Sequence, residues 1–298
     1  MFDQNAKHGA YFALSAYTFW GIAPVYFKWV AHVSPAEILI QRIVWSVILL
    51  LLILAYMGQL RSLKIEPRKL LLVFVSASLL SCNWLIFIYA VVSNNIIESS
   101  LGYFINPLVS VFLGMIFLKE RLRGLQWLAI AITAVGITLQ LLLYGEVPWI
   151  ALTLAFSFGF YGLIRKHLSL PAVAGLALET LMVLPVALLG LGWLFNSGEM
   201  QFWLSGWQTS LLLAAAGFVT TFPLLCFNAA VTRLSLTAAG MFQYVAPSLS
   251  LLIAVFVYGE PFTQDKQLAF ICIWVALLLF AAESFHHHRK LSKRYDAI

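Results

Sequence analysis

Charge is what this sequence has least of: Asp, Glu, Lys and Arg make up 10% of its 298 residues, where an ordinary soluble domain carries about 25%. So few charges cannot cover a water-facing surface, which excludes a soluble globule. Aspartate is scarcest, at Asp3, Asp265 and Asp296, and none lies in a long apolar run. Paired-aspartate chemistry inside a membrane is thereby excluded. The histidines His8, His32, His167, His286, His287 and His288 fall at segment ends or in loops, so no metal-ligating cluster is expected within the apolar segments. The C-terminal triplet reads as solvated interfacial histidines. No Walker motif is present, which excludes built-in ATP hydrolysis. Cys82, Cys226 and Cys272 show no CxxC spacing and read as small apolar packing residues. No catalysis, cofactor or metal is expected.

What the chain does have is apolar length, with 62% hydrophobic and 15% aromatic residues. A spanning helix needs about 20 apolar residues, and ten stretches qualify. They run roughly over 9–30, 36–56, 70–92, 99–118, 125–143, 148–165, 172–194, 208–231, 236–257 and 267–285. The first is too long for a cleavable signal, carries Pro24 and Lys28, and is followed at once by a second span. The expected fold is an all-α membrane protein, one transmembrane domain over 1–298, with ten helices.

Lys and Arg in short loops stay on the cytoplasmic side. With the N-terminus inside, Lys7, Arg61, Lys64, Arg68, Lys69, Lys119, Arg121, Arg123, Arg165, Lys166, Arg233, Arg289, Lys290, Lys293 and Arg294 are all inner, which is 15 of the 18 basic residues. Glu98, Glu146 and Glu199 are outer, and both termini are expected to be cytoplasmic. The formal charge of +6 is spread over every inner loop rather than gathered beside stacking aromatics. Membrane lipid, not nucleic acid, is therefore the expected partner.

The chain resembles itself at an offset of 140 residues. Pro107 matches Pro247, Ser110 matches Ser250, Glu120 matches Glu260, and Phe87, Ala90 and Val91 match Phe227, Ala230 and Val231. The Pro and Glu pairs carry the weight, because both residue types are scarce and both pairs keep a 13-residue spacing. Spans one to five (9–143) would repeat as spans six to ten (148–285), followed by a basic tail at 286–298. Five being odd, the second copy enters from the opposite side. Such inverted repeats are a transporter architecture; duplication kept only for packing is the alternative.

A polar group in hydrocarbon is costly unless it faces protein or a water-filled cavity. Those available are Asn83, Asn106, Gln140, Thr220, Thr221, Asn228 and Gln243. Pro107 and Pro247 are expected to interrupt their helices, freeing the carbonyls of Tyr103 and Gln243. The interruption is either a cavity-lining break or a kink answered by neighbouring helices. Aromatic residues on the same segments either line an amphipathic pocket or pack between helices. Arg42, about 10 Å from the outer face by helix rise, and Glu179, about 12 Å from the inner face, lie deeper than snorkelling explains. Arg42 is expected to meet Glu98 or Glu37, and Glu179 to meet Arg165, Lys166 or Arg233. The two are either alternating charge gates or static pairs.

Several segments carry a family likeness: Phe19-Trp20-Gly21-Ile22-Ala23-Pro24, Asn83-Trp84-Leu85-Ile86-Phe87, Ser100-Leu101-Gly102-Tyr103-Phe104-Ile105-Asn106-Pro107, Phe158-Gly159-Phe160-Tyr161-Gly162-Leu163 and Thr220-Thr221-Phe222-Pro223-Leu224-Leu225-Cys226-Phe227. Over essentially its full length the chain resembles the EamA group of the drug/metabolite transporter superfamily. The resemblance implies a bacterial inner-membrane permease with a central cavity that moves metabolites or xenobiotics, often outward. It places Trp20, Asn83, Trp84, Tyr103, Asn106, Tyr161, Thr220, Gln243 and Tyr244 in that cavity. The acidic residue that small multidrug members carry in their first helix is absent here, so that coupling residue does not carry over. The expected partner is a small organic solute, with the protein as a possible monomer; a channel or a membrane scaffold is the alternative function.

Overall fold

A computed structural model describes residues 4–92, 96–144, 147–259, 267, 271–272 and 274–283, and among these the regular structure is entirely helical. The helices are α1 (Gln4–Trp29), α2 (Pro35–Tyr56), α3 (Pro67–Val92), α4 (Ile96–Phe117), α5 (Gly124–Tyr144), α6 (Trp149–Leu168), α7 (Ala172–Ser197), the short α8 (Gln201–Leu204), α9 (Gly206–Val231), α10 (Leu236–Phe242) and α11 (Val245–Phe256), with α12 over Trp274–Glu283. Helices thus cover the first nine predicted segments, the ninth being divided between α10 and α11. α12 lies within the tenth, whose remainder falls largely outside the described residues.

Local chemistry sets the helix ends. The Ser34 hydroxyl accepts from the Glu37 amide at 3.3 Å with Pro35 at the first position of α2, so one unsatisfied amide is capped and φ is preset. Ser235 caps α10 in the same way through Ala238 N–H at 3.0 Å. Gly198, at φ 72°, ends α7 in the left-handed conformation that glycine adopts without penalty.

Five stretches are long and apolar enough to cross a bilayer: Pro35–Tyr56, Pro67–Phe87, Ala172–Ser197, Gly206–Val231 and Leu236–Ile253. Their outward faces carry Leu52, Leu71, Leu189 and Leu211, each more than 60% exposed. Such apolar exposure is stable only against lipid. Trp29, Trp149, Trp203, Trp207 and Tyr56 stand exposed near helix ends, where amphipathic rings meet lipid headgroups.

The helices pack across the halves of the chain more than within them. α1 packs on α9 and α11, α6 on α3 and α4, α2 on α9, α3 on α7, while α2 meets α7 and α4 meets α10. Exchanging the halves, so that α1 becomes α6, α2 becomes α7, α3 becomes α9 and α4 becomes α10–α11, maps this set of contacts onto itself. The axis of that exchange therefore runs through the α2–α7 and α4–α10 contacts. Absent side chains permit the close crossings. A Cβ on Gly240 would lie 2.9 Å from Ser110 Cβ and 3.1 Å from the Pro107 carbonyl oxygen, and one on Gly102 would lie 3.0 Å from the Ala151 oxygen. Small residues at helix crossings are the usual means of association where lipid removes the hydrophobic drive.

Gly102→Val should therefore push α4 off α6, at a cost of about 1–3 kcal/mol for an overpacked contact. The check is the melting temperature of purified protein in detergent; an unchanged value would contradict the close crossing.

Candidate functional site

The two prolines that the sequence pairs behave differently. The helix around Pro247 is interrupted at Gln243 and Tyr244, which turn with three-residue bonds from Gln243 N–H to Gly240 and from Tyr244 N–H to Met241. The carbonyl of Gln243, deprived of an amide four residues on, accepts from Ala246 N–H at 3.3 Å. The expected break at Pro107 is not found: α4 runs unbroken through it. Neighbouring helices answer polar groups beside a membrane proline, and here the Tyr244 hydroxyl donates to the Phe104 carbonyl at 3.0 Å. Those two residues are 140 apart, so equivalent positions of the halves meet. Beside them Gln243 Nε2 donates to Ser110 Oγ at 3.2 Å, and Ser110 Oγ donates to Asn106 Oδ1 at 3.3 Å.

Arg42 lies mid-helix in α2 and is partly exposed. Its Nε donates to Thr220 Oγ1 at 2.8 Å, and its guanidinium carbon stands 5.0 Å from the Trp84 ring centre and 5.8 Å from that of Phe27. The phenols of Tyr103 and Tyr26 are within electrostatic range of it. Tyr103, edge-on to Phe87 at 6.0 Å, is 44% exposed. α2 and α4 pack chiefly on other helices, and Arg42 and Tyr103 both keep part of their surface uncovered.

A buried aromatic cluster is formed by α1, α6 and α9. Phe227 is at its centre, 4.9 Å from Phe158, 5.8 Å from Tyr161, 6.1 Å from Trp20 and 6.3 Å from Tyr17 by ring centres. Offset and edge contacts of this kind each add about 0.5–1.5 kcal/mol to simple burial.

A second charged centre is fully enclosed. Glu179 accepts from Ser76 Oγ at 2.6 Å and from Tyr161 Oη at 3.3 Å, and Arg165 Nη1 stands 3.7 Å away. Asn228 lies 3.1 Å from the same phenol; with its amide nitrogen turned to that oxygen, Tyr161 donates to Glu179 and accepts from Asn228. The Arg165 guanidinium occupies the space that a Cβ on Gly175 would fill, and its nitrogens have no hydrogen-bond acceptor among the described residues. Removing one partner of such a pair strands the other in low dielectric. A small cavity between α2, α3 and α7 is lined by Ile43, Leu80, Trp84 and Glu179.

Two carboxylates tie the halves at the two ends of α9. Glu37, at the start of α2, accepts from Gln201 N–H at 2.8 Å and from Phe202 N–H at 2.9 Å. Glu120, after α4, accepts from Thr237 N–H at 3.0 Å and from Leu236 N–H at 2.6 Å. A helix of 26 residues is about 39 Å long, so these clasps lie on opposite sides of a bilayer core of about 30 Å.

The structure brings Trp84, Tyr103 and Thr220 together around Arg42, and places Trp20 and Tyr161 in the buried aromatic cluster. Asn83 instead ties α3 to α6 by donating to the Leu154 carbonyl and to Ser157, both at 3.0 Å. Asn106, Gln243 and Tyr244 tie α4 to the interrupted helix. The expected Arg42–Glu37 pair is corrected: both oxygens of Glu37 are taken by the 201–202 amides, which fix the start of α8. Lys166 and Arg233 are corrected likewise as partners of Glu179. Lys166 donates to the carbonyls of Val231 and Leu234 and Arg233 to that of Ala229, all near the C-terminus of α9, where cations suit the helix dipole. The side chains of Glu98 and Gln140, the residues Glu260 and Lys266, and the basic tail lie outside the described residues. Sequence reasoning missed Phe27, Ser76 and Ser110 as partners and took Glu120 only as a repeat marker. The one signal was position, since Glu37 and Glu120 both flank helix ends.

The EamA-like transporter family matches this chain twice, over residues 7–142 and 147–282. An uncharacterized transporter of Vibrio cholerae is 50% identical, the match covering 94% of each chain. The RarD protein of Escherichia coli is 45% identical over 97% of this chain and 99% of that one, and the RarD protein of Salmonella typhi is 46% identical over 96% and 99%. One solved crystal structure, 18% identical, superimposes with a TM-score of 0.70 over 91% of this chain and 96% of its own; that likeness is one of fold.

Removal of one member of the enclosed pair, as in Glu179→Met, should destabilise the protein by about 3–5 kcal/mol, whereas the double variant Arg165→Met/Glu179→Met should recover most of the loss. Thermal unfolding in detergent checks this, and a double variant worse than either single one would contradict it.

Proposed function

This chain belongs to the EamA-like transporter family, and on that premise we propose that it is an inner-membrane permease that moves a small organic solute by alternating access. The observation that carries the reading is the pair of clasps, Glu37 at one end of α9 and Glu120 at the other, each joining the first half of the chain to the second. In this reading, release of one clasp opens a path to Arg42 from one side while the other clasp stays shut. The double family match and the exchange symmetry of the packing support two equivalent inward and outward states. Ten crossings with both termini cytoplasmic follow from the basic inner loops, which put Glu37 outside and Glu120 inside. In this reading the gates are these two helix-capping carboxylates, while Arg165–Glu179 holds α6 to α7.

A charge-neutral substitution removes the clasp and keeps its volume. In a variant whose sole cysteine replaces Thr220, Glu37→Gln should raise labelling by an impermeant maleimide from outside, and Glu120→Gln from inside. Equal labelling in all three proteins would refute this gating.

Solute binding is tested by thermal shift of the detergent-purified protein against amino acids, nucleosides, amphenicols and small aromatics. A ligand at a hundred times its Kd stabilises by about 2.7 kcal/mol, and the shift should be lost in Trp84→Ala. No shift with any class, in folded protein, would bring the channel or scaffold function forward.

A further inference from the structure

We propose that Arg42 and the aromatic side chains around it form a carboxylate-binding site, and that the solute is a small monocarboxylate with a flat apolar group. The inference deepens the transporter reading and rests on it.

A guanidinium in the middle of a membrane span is costly unless it is paired. Two ion pairs are present among the described residues, Arg123–Glu283 and Arg165–Glu179, and Arg42 is in neither. The acid nearest to it in α2, Glu37, has both oxygens filled by backbone amides. Of the five N–H donors of Arg42, the one on Nε is given to Thr220. Both Nη nitrogens, which form the edge that accepts a carboxylate side-on, have no hydrogen-bond partner among the described residues.

The surroundings orient that edge and select its ligand. Thr220 fixes the inner corner of the guanidinium, and the Trp84 and Phe27 rings bear on it, so its direction is set before a ligand arrives. Trp84, Phe27 and Tyr103 also provide flat apolar walls for the remainder of the solute. One cation neutralises one negative charge. A phosphate dianion would leave a net charge in this low-dielectric space, whereas a carboxylate leaves none. A ligand bound here also neutralises the cation, so loaded and empty sites carry different charge through the membrane core.

Phenylacetate and phenylacetamide share ring and shape and differ in charge. Against the purified wild-type chain, phenylacetate should raise the melting temperature with dose, and phenylacetamide should need roughly 10- to 100-fold higher concentration, the factor that charge-assisted hydrogen bonds carry. Arg42→Gln should erase that preference, and Arg42→Lys, which keeps the charge without the fork, should reduce it. Equal binding of the two probes by the wild type would overturn the carboxylate site with no variant required, and would leave the transporter reading intact because a solute still binds. A preference that survives in folded Arg42→Gln would also overturn it. Binding of neither probe overturns it as well, and the transporter reading then depends on the wider solute screen.

Discussion

Hydrocarbon offers no hydrogen bonds, so each polar group between these helices has to be answered by another helix. That constraint organises the structure. The Phe104 carbonyl is met by Tyr244, the Gln243 amide by Ser110, Asn83 by α6, and Glu179 by groups from α3 and α6. Most of these ties cross from one half of the chain to the other. The halves are therefore woven together.

Arg42 contrasts with Glu179 within that weave. It has one firm hydrogen bond, two aromatic neighbours and partial exposure. Glu179 is of comparable depth in sequence yet sits enclosed by Ser76, Tyr161 and Arg165. The contrast separates an enclosed charge that ties helices together from one that keeps part of its surface uncovered and a donor edge unfilled among the described residues.

The clasps near the ends of α9 join the two halves on both sides of the weave. Each is a carboxylate on helix-initiating amides, a charge-assisted contact aligned with the helix dipole. Glu37 is fully buried in its clasp, and the crossings at Gly102 and Gly240 bring helices into close contact.

By itself the sequence determined the helical membrane class, nearly all the segment boundaries, the family, and the equivalence of positions 140 residues apart. The class, the boundaries and the equivalence rest on composition and period, and the family on the resemblance of its motif segments; all are local or regular signals that survive without coordinates. It also singled out Arg42, Glu179, Trp84, Tyr103 and Thr220, because polar and charged groups are conspicuous in an apolar chain. Only the tertiary structure decided their partners. Pro107 and Pro247 read alike in the sequence, yet α4 continues through one while the other adjoins an interruption. Glu37 read as a partner of Arg42 and Glu120 as a repeat marker, and both cap helices of the opposite half. The reason is that a partner in a membrane is chosen by which helices cross, and crossing is set by packing between segments up to 229 residues apart, about which local sequence carries no record.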